Sequence, residues 1–127
     1  MKKTLAILLV FLLAFSGCVQ EKTSEADPGK LINVSFKVTG YTEEALEITI
    51  EAESGSNAFE LMKENMGVEY DSYDFGVMVN EIEGIKPEGT DYWALYVNRE
   101  YAEKGISDYV LNEDIILEWK IEANPYA

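Results

Sequence analysis

Three observations predict an α+β fold, with one short helix packed on a mixed sheet. Apolar and polar residues alternate in five separate stretches, which is the signature of half-buried strands. One window only, between Gly55 and Gly67, changes to a helical period. Hydrophobic residues make up 47% of the 127-residue chain and aromatics 12%, enough apolar material for one packed core.

The chain opens with Met1, Lys2 and Lys3, then runs apolar from Leu5 to Phe15 and closes on Ser16, Gly17 and Cys18. A charged start, a short apolar run and small residues read as a signal peptide over residues 1–17. The run falls short of the roughly 20 apolar residues that a spanning helix needs. Leu13 to Cys18 resembles the lipobox of prokaryotic lipoproteins, in which the cysteine is lipidated and becomes the first residue of the mature chain. Phe15 stands where that motif usually has an aliphatic residue. Cys18 is the only cysteine, so no disulfide braces the fold. Val19 to Lys30 is polar, with Pro28 and Gly29 near its end, and residues 18–30 therefore read as a lipidated cysteine with a flexible tether. The expectation is a membrane-anchored, extracytoplasmic domain spanning residues 31–127.

Within that domain Ile32, Val34, Phe36 and Val38 alternate with polar residues up to Gly40. Leu46, Ile48, Ile50 and Ala52 repeat the pattern, and the short Tyr41–Glu44 link makes the pair an antiparallel hairpin. Ala58, Phe59, Met62 and Met66 form a helical stripe. Ser56 or Asn57 can cap its start, and Gly67 suits the left-handed position after its end. The segment from Val68 onward is mixed, and a strand from about Phe75 to Ile82, kinked or bulged at Gly76, fits it best. Gly84, Pro87 and Gly89 mark a loop. Two aromatic strands follow, Tyr92–Val97 and Ile115–Ile121, which together hold both tryptophans. Trp93, Leu95 and Val97 share the face toward the helix with Ile115, Leu117, Trp119 and Ile121; Tyr92, Ala94, Tyr96 and Asn98 share the other. The order strand, strand, helix, strand, strand, strand is β-grasp-like.

Composition excludes several functions. The net charge is −14; without Lys2 and Lys3, basic residues fall from 10 to 8 against 24 acidic ones, a net charge of −16. Such a chain repels nucleic acid. It contains no histidine, which removes the commonest general base and transition-metal ligand. Asp71, Asp74 and Asp91 lack the spacing of a calcium loop, and Met62 with Met66 reads as core filling. Pairs such as Asp71 with Asp74 or Glu81 with Glu83 carry no information in so acidic a chain. No nucleophile elbow, phosphate loop or dinucleotide fingerprint occurs. Asn33-Val34-Ser35 is a glycosylation sequon of the kind that arises by chance. The reading is therefore a binding module with no enzyme activity, metal or cofactor.

Ala58, Phe59 and Met62, Ile82-Glu83-Gly84, Tyr92-Trp93, Val97-Asn98, Gly105, Tyr109-Val110-Leu111, Asp114-Ile115-Ile116 and Trp119 carry a resemblance across roughly Gly55–Glu122. This stretch resembles the small domain of unknown function related to the carboxy-terminal β-domain of transcobalamin and intrinsic factor. Arg99 and Glu113 depart from the pattern, each standing where that family commonly has glycine. The resemblance implies binding of a ligand from one side, with cobalamin or another corrinoid-like molecule as candidate. A lone domain would bury only part of a corrin, and without histidine it offers no imidazole to cobalt. The other reading is a surface or adhesion module that binds another protein through its sheet face or edge.

For the site, Trp93 faces the core, whereas Tyr92 and Tyr96 point outward with small Ala94 between them. Two rings about 7 Å apart along a strand could flank a flat or apolar group. Asn98 and Tyr101 lie at the adjoining turn. The expected ligand contacts are thus Tyr92, Trp93, Tyr96, Asn98 and Tyr101.

Overall fold

The computed structural model describes residues 29–126. The expected leader, Cys18 and nearly all of the tether lie outside the described residues. The strands are β1 (Leu31–Thr39), β2 (Ala45–Glu53), β3 (Ser56–Asn57), β4 (Val68–Tyr73), β5 (Gly76–Ile82), β6 (Tyr92–Val97), β7 (Glu100–Tyr101), β8 (Val110–Leu111) and β9 (Ile115–Glu122). One helix, α1 (Ala58–Asn65), and a 3-10 helix, Ile106–Asp108, complete the described elements.

The main sheet runs β2-β1-β9-β6-β7. β1 pairs antiparallel with β2 and parallel with β9, so the sheet is mixed and the fold is α+β, as the patterning requires. Ile32, Val34, Phe36 and Val38 of β1 are all buried, together with Leu117 and Trp119 of β9 and Trp93 and Leu95 of β6. Against this face α1 lays Ala58, Phe59 and Met62. β2 fades from buried Ala52 to exposed Leu46, as an edge strand does, and carries Glu47, Glu51 and Glu53 on its exposed positions. Carboxylates along an edge resist pairing with a second chain.

Asn57 begins α1 as expected, its Oδ1 accepting from the N–H groups of Phe59 (3.0 Å) and Glu60 (3.1 Å). The end of the helix differs from the expectation. Gly67 has no positive φ; the backbone is already extended at Met66, and the Gly67 N–H donates to Glu83 Oε1 at 2.7 Å. A chain that leaves the helix directly into β4 has no need of a left-handed cap.

The strand expected over about 75–82 is present as β5, but it lies outside the main sheet. It pairs with β4 as a separate antiparallel hairpin bulged between Glu69 and Tyr70. Tyr73-Asp74-Phe75-Gly76 makes the turn, and Gly76 at φ +136 adopts a conformation that L side chains rarely take. The hairpin docks through Val79 and Ile82, and through Tyr70, which meets Phe59 edge-on at 4.8 Å. The main sheet's fifth strand is instead the short β7. It follows β6 through a two-residue turn, Asn98-Arg99, with φ values of 48 and 72. Positive φ at both residues is the twist-matched hairpin turn in which the second place favours glycine. Arg99, where the resembled family commonly has glycine, therefore holds a left-handed backbone, while Glu113 does not.

Candidate functional site

Between the β4–β5 hairpin and β6 lies an open cleft of about 850 Å³. The hairpin contributes Glu69, Asp71 and the run Val77–Glu81; the following loop contributes Lys86, Pro87 and Asp91. Tyr92, Trp93 and Leu95 of β6 form another wall, with Trp119 beside them, and the segment from Tyr101 to Ile106 completes it. The aromatic and aliphatic walls are those of a ligand pocket of this size, but seven charged side chains make the cleft more polar than such pockets usually are.

The local sequence explains how each wall is held. The Tyr41 hydroxyl donates to Asp91 Oδ2 at 2.6 Å and accepts from the Glu88 N–H at 2.7 Å, fixing the loop that leads into β6. The Asn57 Nδ2 donates to the Ser107 carbonyl at 2.9 Å, tying the 3-10 helix behind the cleft to the start of α1. On the hairpin, Asn80 Nδ2 donates to Asp71 Oδ2 at 2.9 Å. Glu69 and Glu81 are cross-strand partners, and the hydrogen bond from one carboxyl to the other raises the pKa of Glu81, reinforced by like-charge repulsion.

Trp93 and Trp119 are 7% and 5% exposed. Among the described residues neither indole Nε1–H has a hydrogen-bond partner, although both are buried. A buried donor left unpaired costs about 1 to 3 kcal/mol. Two such donors beneath one cleft are an unusual concentration of that cost, because buried polar groups are paired in the great majority of cases.

The five residues expected to form the site separate. Tyr92, Trp93 and Tyr101 line the cleft; Tyr96 and Asn98 do not. Tyr96 lies on the outer face, where its hydroxyl donates to Glu122, its ring meets Tyr101 edge-on at 5.5 Å, and Lys120 Nζ sits 4.5 Å from the ring centre. The bond to Glu122 raises the Tyr96 pKa. The Tyr92 and Tyr101 hydroxyls are 3.4 Å apart, and that hydrogen bond, with burial second, pushes Tyr92 up to about 12. Ala94 is only 1% exposed, so the ring-sized gap expected between Tyr92 and Tyr96 is closed. Asn98 serves the turn: its Oδ1 accepts from the Ile116 N–H at 2.9 Å. Strand alternation assigned the faces correctly but carried no information on the hairpin, whose Asp71, Val77–Glu81 wall and Glu69–Glu81 pair were missed. The turn sequence Asp74-Phe75-Gly76 between two alternating runs is the signal that could have found it.

The sequence comparison with protein families matches residues 55–123, more than half of the chain, to a domain of unknown function, DUF4430. The chain belongs to this family. No curated protein matches it in sequence. Among solved structures, this DUF4430 chain is similar to haptocorrin in a complex with Cbi, at 18% identity and a TM-score of 0.63 over 87% of this chain. It spans 28% of the haptocorrin chain. A suggested metal-binding protein from Ruminococcus gnavus ATCC 29149 is similar over 73% of this chain and 98% of its own, at 10% identity and a TM-score of 0.65. At these identities the likeness establishes the fold. Among the described residues there is no group of three or more His, Cys, Asp or Glu side chains that could hold a metal ion.

Proposed function

We propose that this chain is a ligand-binding module displayed at an extracytoplasmic membrane surface through a lipidated Cys18, and that the cleft beside β6 receives the ligand. The observation that carries the reading is the cleft itself: about 850 Å³, walled by Tyr92, Trp93, Leu95 and Tyr101, over two buried indole donors without partners. A flat apolar group would cover the aromatic wall of the cleft, and polar groups at its edge would meet the charged rim. A corrinoid-like molecule, with an apolar ring and peripheral amide carbonyls, has that chemistry, and the likeness to haptocorrin supports including it. The absence of histidine means that any corrinoid would be held by its ring and amides, with no imidazole on the metal. The role is binding rather than catalysis: the cleft's Glu69–Glu81 pair has neither an adjacent nucleophile nor a histidine to work with.

The test uses the Cys18→Ser chain, kept soluble, in thermal-shift and tryptophan-fluorescence titrations against corrinoids and a panel of small metabolites. Expected is a saturable rise in melting temperature with a parallel change in tryptophan emission. No saturable response to any compound would remove small-ligand binding. Anchoring is tested separately by detergent partitioning: wild type is expected in the detergent phase and Cys18→Ser in the aqueous phase, and equal aqueous recovery would contradict it. No described helix is long and apolar enough to cross a membrane; in this reading the lipid on Cys18 is the anchor.

A further inference from the structure

The cleft is bounded by two strand edges that lack partners. Val77 to Glu81 are five consecutive residues, all lining it. Successive strand side chains point to opposite faces, so an unbroken run meets one cavity only along the strand's edge. β4 occupies one edge of β5; among the described residues the other edge is unpaired and borders the cleft, which also reaches across one face of the hairpin to Glu69 and Asp71 of β4. The same logic holds on β6, where Tyr92 from the outer face and Trp93 from the inner face both line the cavity.

Main-chain directions on β6 agree. The Asn98 N–H donates to the Ile116 carbonyl of the β9 chain, so even-numbered residues direct their main-chain groups to β9 and odd-numbered ones to the opposite side. On that side Val97 pairs with Glu100, and the Ala102 N–H donates to the Leu95 carbonyl at 2.9 Å. Trp93 is next in the alternation. By then the chain has turned toward the 3-10 helix at Ile106, and among the described residues no backbone hydrogen bond continues the ladder. The Trp93 amide and carbonyl are thus aimed at the cleft. The opposite edge of the sheet, β2, is guarded by glutamates on its exposed positions, so the two edges are treated differently.

Charge indicates what fits. Glu69, Asp71, Glu81, Asp91 and Glu103 surround the cleft against Lys86 and Lys104. The tether is itself acidic on balance, with Glu21, Glu25 and Asp27 against Lys22 and Lys30, and so is poorly matched to this rim.

We propose that the cleft takes an extended cationic peptide segment of another protein, which adds as a strand to the open edges of β6 at Trp93 and of β5, its apolar side chains on the aromatic wall and its basic ones at the acidic rim. The proposal rests on the cleft being the ligand site and narrows the ligand to a peptide. Main-chain pairing would supply affinity and the rim would select charge.

The test titrates the Cys18→Ser chain with acetyl-(Lys-Val)₃-amide, the same peptide with Glu for Lys, and a version N-methylated at alternate residues. Tryptophan emission and exchange of the Trp93 amide are read out. Expected are saturable binding at about 1 mM or tighter, at least tenfold slower Trp93 exchange, and at least tenfold weaker binding after N-methylation or Lys-to-Glu replacement. Glu69→Lys with Glu103→Lys should weaken the lysine peptide at least tenfold in a chain that still unfolds cooperatively. Equal binding of the N-methylated or the acidic peptide overturns the proposal, as does the absence of saturable binding. If peptides fail while a small molecule perturbs the same tryptophans, the peptide proposal falls and the cleft remains a ligand site; if neither perturbs them, both fall.

Discussion

Replacing Asn57 should separate two structural roles that one side chain performs. Its Oδ1 caps α1 by accepting from Phe59 and Glu60, and its Nδ2 holds the Ser107 carbonyl of the 3-10 helix behind the cleft. Asn57→Ala removes both. A lost N-cap costs about 1 kcal/mol, within a range of about 0.5 to 2. A part-buried hydrogen bond adds about 0.5 to 1.5 kcal/mol. The expected loss is therefore roughly 1 to 3.5 kcal/mol. Asn57→Ser retains a capping oxygen of similar quality but cannot reach Ser107, so it should lose only the second contribution, about 0.5 to 1.5 kcal/mol. Urea denaturation of both variants in the Cys18→Ser background measures this directly, with equal slopes required for the comparison. Equal losses for Ala and Ser would refute the capping assignment. No loss for Ser would refute the tie to the 3-10 helix.

Arg99→Gly should stabilise the chain by about 0.5 to 1 kcal/mol, because Arg99 is exposed and holds φ +72, where a side chain is strained; an unchanged or lower urea midpoint would contradict this. Tyr92 should titrate near 12 in an ultraviolet pH titration, and Tyr101→Phe should return it toward 10.0, since the hydroxyl–hydroxyl bond is the largest cause. The folded chain holds that proton longer than the unfolded one, so its stabilising contribution is present below pH 10 and lost as pH rises through the folded value. Glu81 has its folded pKa raised above 4.5, so the folded state keeps a proton that the unfolded state has released, and stability falls as pH rises through that window. Glu81→Gln should flatten this decline in pH-dependent melting, and an unaltered profile would remove the Glu69–Glu81 pair as its source.

Much of the fold was legible because one periodicity governed each element. Ile32, Val34, Phe36 and Val38, the Ala58–Phe59–Met62 stripe and the inward set of β9 each sort cleanly by period, and the structure buries them apart from Ile115 and Ile121, which are half-buried. β5 was legible as a strand, but its pairing with β4 was not, since the bulge at Glu69/Tyr70 interrupts the alternation at the start of β4 and the turn Asp74-Phe75-Gly76 was not used as a hairpin signal. Gly67 departs from its expected role because of a distant neighbour: glycine after a helix suggests a left-handed cap, but here Gly67 leads directly into β4 and exchanges hydrogen bonds with Glu83. Of the candidate site, side-chain direction on β6 could be read from alternation. That Ala94 is covered, that Tyr96 is engaged by Glu122 and Lys120, and that the cleft opens at the strand's edge all depend on long-range neighbours, which no local pattern records.

The central claim is that ligand enters the cleft beside β6, and resonance mapping tests it most directly. Nitrogen-labelled Cys18→Ser chain is titrated with whichever compound or peptide gives a saturable thermal shift, and amide and indole resonances are followed. The account predicts that the Trp93 and Trp119 indole N–H signals move together with Val77–Glu81 and Tyr101–Ile106. Shifts confined to the outer face around Tyr96, Glu118 and Lys120, or to the β2 edge, with both indoles unmoved, would contradict it.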